Sequence, residues 1–202
     1  MPTNRRAATL GALVLCLSTL ASGCGGGALA TSSQSEQGFA GAALPANVNA
    51  PIFSLIDVGG TRVGLAAQRG RVTILAFLYS DCTACVLIAQ QIRGALDELS
   101  TPPAVLIVSV DTAQDTPARV RSFLHQVSLE GRVHYLVGPA DALRAVWRAY
   151  HVTTPARGRA AYERAASVLL IDPRGRERVI YEQEQLTPEA LAHDIRELQE
   201  RP

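Results

Sequence analysis

The chain has 202 residues, with 19 basic and 18 acidic side chains and a formal net charge of +1, a balance that gives no electrostatic footprint for nucleic acid. Every basic residue is an arginine, and these are scattered rather than patched, so lysine Schiff-base chemistry is excluded. Arg5 and Arg6 precede an apolar stretch from Ala7 to Ala21, which has the length and character of a signal-peptide core and is too short to span a bilayer. Residues 1–23 are therefore expected to be removed.

That stretch ends in Leu20-Ala21-Ser22-Gly23-Cys24, which resembles the bacterial lipobox. The resemblance implies that Cys24 becomes the first residue and is acylated, since two or three acyl chains hold a protein stably on a membrane where one does not. A cleaved, unmodified secretory signal is the alternative. Residues 24–50 are rich in Gly, Ala, Ser, Gln and Asn, too poor in large apolar side chains to offset the entropy of ordering, and read as a flexible tether. Residues 51–202 are then one domain of ordinary size.

Within that domain, Phe53, Leu55, Val63 and Leu65 flank Gly59-Gly60 with period-two spacing, which predicts an N-terminal β-hairpin. Val72 to Tyr79 is a near-continuous apolar run, as a central strand covered on both faces requires. Cys85, Ile88, Ala89, Ile92, Leu96 and Leu99 recur at helical spacing, and Pro102-Pro103 stops them. Ala104 to Val110 is the next strand. Thr116-Pro117 opens a helix with a capping hydroxyl and a proline at its first position, followed by a strand at Val133 to Val137. A helix over Pro139 to Tyr150, a hairpin of Ser167 to Ile171 with Arg178 to Tyr181, and a final helix from Thr187 complete the chain. This order predicts an α/β, thioredoxin-like sandwich with a central mixed sheet.

Of four cysteines, Cys16 lies in the removed segment and Cys24 is the lipid site, which leaves Cys82 and Cys85. Cys82-Thr83-Ala84-Cys85 begins a helix directly after a buried strand, so the first sulfur is expected to face solvent and the second to lie one turn inward. Unpaired N–H groups at a helix start favour a thiolate, and this spacing allows a disulfide with little backbone movement. Such a pair exchanges with protein thiols and disulfides. A four-cysteine zinc site is impossible with these residues. A structural disulfide and copper binding stay open as alternatives.

Four stretches carry a further resemblance: Phe53-Ser54-Leu55-Ile56-Asp57, Phe77-Leu78-Tyr79-Ser80-Asp81-Cys82, Val108-Ser109-Val110-Asp111 with Asp115-Thr116-Pro117, and Leu170-Ile171-Asp172-Pro173-Arg174-Gly175. Through them the chain resembles the Sco/SenC family of membrane-anchored, thioredoxin-fold copper proteins that assist cytochrome oxidase assembly. The resemblance implies a copper site of two cysteines separated by three residues and a distant histidine. Here the second cysteine is one position early, with Val86 in the ungapped place, and the histidine position falls on Arg164. Arginine keeps its proton and offers no lone pair to copper.

Arg164 would instead bring positive charge toward the Cys82 thiolate, if it is not simply a solvated loop residue. Asp111, ending a strand at the active edge, could assist proton movement or form a turn. His151 is the candidate third copper ligand beside Cys82 and Cys85. The expectation is a membrane-anchored, extracytoplasmic lipoprotein acting as a thiol–disulfide oxidoreductase on protein cysteines, with no cofactor and no nucleic-acid partner. Its alternatives are a copper chaperone for cytochrome oxidase assembly and a redox-silent binding module.

Overall fold

The computed structural model of the protein describes residues 38–154, 158, 162 and 166–201. Its first strand, β1, is the short Ala42–Ala43. The predicted N-terminal hairpin follows as β2 (Ser54–Asp57) and β3 (Arg62–Gly64), in antiparallel register with Leu55 opposite Val63. Asp57 closes its turn by accepting the N–H groups of Gly59 and Thr61, each at 2.9 Å, and Gly60 takes the positive φ of 88° that the reversal requires.

The long apolar runs become β4 (Thr73–Leu78) and β5 (Ala104–Ser109), in which every residue is buried. Strands covered on both faces belong at the centre of a sheet, and these two pair in parallel from Thr73↔Ala104 to Leu78↔Ser109. Helix α1 (Thr83–Glu98) crosses between them. It turns Cys85, Ile88, Ala89, Ile92 and Leu96 inward, as the spacing predicts. Helix α2 (Pro117–Gln126) then leads to β6 (His134–Val137), which lies parallel to β5. Thr116 caps α2 by accepting the N–H of Arg119 at 3.3 Å, with Pro117 at the first helical position.

After helix α3 (Ala140–Ala149) come β7 (Ser167–Ile171) and β8 (Glu177–Glu182), an antiparallel hairpin, and the last helix, α4 (Pro188–Glu200). The hairpin turn is held by Asp172, whose side chain is fully buried. It accepts the N–H groups of Arg174 and Arg176 at 2.9 Å and pairs with the Arg176 guanidinium at 2.7 Å. Burial opposes ionisation of Asp172, but these donors prevail and hold its carboxyl below the ordinary value. Helices α1 and α4 pack closely: a Cβ on Gly94 would fall 2.8 Å from the Pro188 ring.

Among the described residues, eight strands lie in the order β1-β8-β7-β4-β5-β6-β2-β3, with β7 antiparallel to β4 and β2 antiparallel to β6. This is the mixed α/β sandwich of thioredoxin-like folds. The sheet nevertheless begins earlier than the composition of the N-terminal region suggests. Residues 38–50, assigned above to the tether, join the domain: β1 pairs with β8 through Ala42↔Ile180 and Ala43↔Val179, and Asn49 bridges Arg176. The carboxylate of Asp194, fully buried, accepts the N–H groups of Ala40 at 2.7 Å and Gly41 at 3.0 Å and takes the Tyr181 hydroxyl as well. What anchors this segment is its backbone, which composition does not report. Cys24 and the signal segment lie outside the described residues, and among those residues no helix is long and apolar enough to cross a membrane.

Candidate active site

Cys82 stands at the junction of β4 and α1 and serves as the helix cap. Its backbone is extended (φ −144°, ψ 118°), and its Sγ accepts the N–H of Cys85 at 3.0 Å. The two sulfurs are joined as a disulfide with their Cα atoms 5.1 Å apart, a spacing natural to positions i and i+3 at a helix start. On reduction the same N–H, together with the partial positive charge of the helix end, faces the Cys82 sulfur and favours its thiolate.

The pair is more enclosed than the spacing suggests. Cys82 keeps 5 % of its surface exposed and Cys85 none, because the sulfur that was expected to face outward turns back to cap the helix. Of the two, Cys82 alone offers a route for an incoming sulfur.

The loop that carries Cys82 is held by a carboxylate that stands just before the cap of α2 in the sequence. Asp115 is 6 % exposed. It accepts the Ser80 N–H at 2.7 Å, the Ser109 hydroxyl at 2.6 Å and the Tyr135 hydroxyl at 2.8 Å. It thereby ties the loop carrying Cys82 to the ends of β5 and β6. Burial and the neighbouring Asp115 charge push the Tyr135 hydroxyl well above its ordinary pKa, so it remains a donor. A signal was available: Thr116 already supplies the cap of α2, so the acid before it was free for another task.

Tyr162 was also missed. It is 1 % exposed; its hydroxyl donates to the Phe77 carbonyl and stands 3.7 Å from Cys85 Sγ. Its ring meets that of Tyr79 edge-on, with centroids 5.3 Å apart. Nothing local marks it, because 77 residues separate it from Cys85 and only the topology brings them together.

The other candidates take varied places. Asp111 accepts the N–H groups of Ala113 at 3.1 Å and Gln114 at 3.2 Å, the geometry of a turn former. His151 ends α3 in the left-handed conformation (φ 54°), where glycine is the usual occupant, and is exposed. Arg164 lies outside the described residues. His125 meets Glu130, His134 meets Asp57, and His193 reaches the Gly38 carbonyl.

Copper is a soft metal that takes thiolates. Here the two sulfurs are bonded to one another, and among the described residues no group of three or more His, Cys, Asp or Glu side chains is placed to hold a metal ion. The described residues therefore supply two soft ligands after reduction, without a third grouped beside them.

A mixed sheet with a vicinal cysteine pair at the start of the helix following its central strand defines a thioredoxin-like protein. Residues 42–200 match the SCO1/SenC family model, and the chain belongs to that family. No curated protein matches the sequence. Solved structures share the fold. BsSco, described as a member of the Sco family of cytochrome c oxidase assembly proteins with a disulfide switch, is 18% identical, with a TM-score of 0.64, over 78% of this chain and 97% of that one. ScoI from Arabidopsis thaliana, solved with copper bound, is 21% identical with a TM-score of 0.61, over 76% and 99%. The thioredoxin domain of a thiol–disulfide oxidoreductase from Bacteroides vulgatus is 16% identical with a TM-score of 0.59, over 76% and 96%.

Proposed function

We propose that this protein is a membrane-anchored, extracytoplasmic thiol–disulfide oxidoreductase that acts on protein cysteines in the assembly of respiratory enzymes. The observation that carries the reading is the Cys82–Cys85 disulfide at the N-terminus of α1, with Cys82 Sγ against the Cys85 N–H. In the oxidising direction, a partner thiolate attacks Cys82 Sγ, the disulfide breaks, and Cys85 leaves as a thiolate. A second partner thiolate then attacks the partner's own sulfur in the mixed disulfide. That step releases Cys82 and leaves the partner oxidised and the pair reduced, two electrons having moved. In the reverse direction Cys82 attacks a partner disulfide and Cys85 resolves the intermediate.

Membership in a family with a lipoprotein-like leader in this chain supports an anchored location through Cys24. The purified domain is expected to catalyse insulin reduction or the refolding of a disulfide protein, and Cys82→Ser is expected to bring the rate to background. Equal rates for the variant and the wild type would remove the reading.

Copper delivery to cytochrome oxidase is the second reading, favoured by the copper-bound structure of a family relative. It requires one Cu⁺ per reduced domain, lost on replacing either cysteine, with Cys82 and Cys85 as ligands and His151 as the candidate third.

A further inference from the structure

A cleft of about 530 Å³ opens beside the end of α3. Its floor is the face of the sheet carrying Phe77, Leu169 and Ile180, and the rings of Tyr150 and Tyr162 stand in its walls. Leu169 pairs with Leu75 on one side and Ile180 on the other, so these side chains share one face of β4, β7 and β8. The cleft is larger than one side chain needs and within the range that binds ligands.

Among the described residues, Glu177 is the one carboxylate lining it. Four other carboxylates in partly or fully sheltered positions, Asp57, Asp115, Asp172 and Asp194, each receive two or more hydrogen bonds. Glu177 is half-buried and, among the described residues, receives none; the exposed His151 acts on its charge only by electrostatic attraction. A sheltered carboxylate without a donor is costly in the free protein, and a cation carrying N–H groups is what satisfies it. Aromatic walls attract the same cation, and the apolar floor suits the methylene stem of a long basic side chain.

We propose that this cleft binds an arginine or lysine side chain presented on an apolar stretch of the partner polypeptide. The proposal rests on the partner being a protein, as in the reading above. Tyr162 forms the common boundary of the two sites, since it lines the cleft while its hydroxyl stands 3.7 Å from Cys85 Sγ.

The test uses the oxidised protein and a fluorescently labelled, cysteine-free peptide of Leu, Val and Ser residues around one Arg, followed by anisotropy. Saturable binding is expected, weakened at least tenfold when the Arg is replaced by neutral citrulline and at least tenfold by Glu177→Gln, with circular dichroism showing that the variant is folded. Equal affinity for the citrulline peptide, or an unchanged affinity in Glu177→Gln, overturns the proposal. Butylguanidinium binding as tightly as the peptide overturns the assignment to a polypeptide. Because the probe carries no sulfur, loss of binding leaves thiol exchange standing. Loss of exchange with binding retained removes the oxidoreductase reading instead.

Discussion

Tyr162 places a buried hydroxyl next to the sulfur that becomes the leaving group when the disulfide opens. Cys85 is shut away from water, so its thiolate depends on protein donors; the Tyr162 hydroxyl gives its one proton to the Phe77 carbonyl while the pair is oxidised and is expected to turn it to the Cys85 thiolate on reduction, exchanging a neutral hydrogen bond of about 1 kcal/mol for a charged one of about 1.5 to 3 kcal/mol. Tyr162→Phe is therefore expected to raise the Cys85 thiol pKa, read by thiolate ultraviolet absorbance in the reduced Cys82→Ser background. It should also lower the reduction potential of the intact pair, because the reduced form loses stabilisation. A role confined to packing would leave both unchanged, since the ring is retained. At this scale the cysteines were legible because chemistry and spacing coincide in four consecutive residues. Asp115 and Tyr162 were not, because a side chain's burial and its distant partners are properties of the folded chain.

Among the elements, β1 shows how a segment without a hydrophobic pattern becomes part of a sheet. Gly41 sits so close to its neighbours that a Cβ would fall 2.6 Å from Val179 Cγ1, and the strand is pinned from outside by Asp194. Removing that carboxylate strands the N–H groups of Ala40 and Gly41 and the Tyr181 hydroxyl. Asp194→Ala is expected to cost about 2 to 4 kcal/mol in chemical denaturation and to strip hydrogen-exchange protection from Ala42 and Ala43 while that of β4 and β5 persists. Equal protection in the variant would show that strand pairing alone holds β1. The remaining elements, from the first hairpin to α4, follow directly from apolar periodicity, prolines and caps. β1 does not, because two residues carry no period and a buried aspartate 154 residues from Ala40 leaves no local trace.

For the molecule as a whole, Glu177 sets a dependence of stability on pH. Burial pushes its carboxyl above the ordinary value, and the nearby His151 pulls it back in part. A carboxyl whose folded pKa exceeds its unfolded one contributes stability below the unfolded value, about 4.3, and loses that contribution as pH rises through the folded value. Glu177→Gln, always neutral, is thus expected to melt higher than the wild type at pH 7 and alike at pH 4, measured by thermal denaturation. An equal melting difference at both values would show that charge is not the cause. The overall architecture was readable from the strand and helix order, whereas this cleft arises only where α3, β4, β7 and β8 meet, and no stretch of sequence contains it.

The two ends of the sheet are its shortest strands, β1 with two residues and β3 with three. Long unpaired margins are the templates on which copies of a protein stack into fibres. By closing both borders with stubs, the described sheet gives a neighbouring copy almost no backbone to grip.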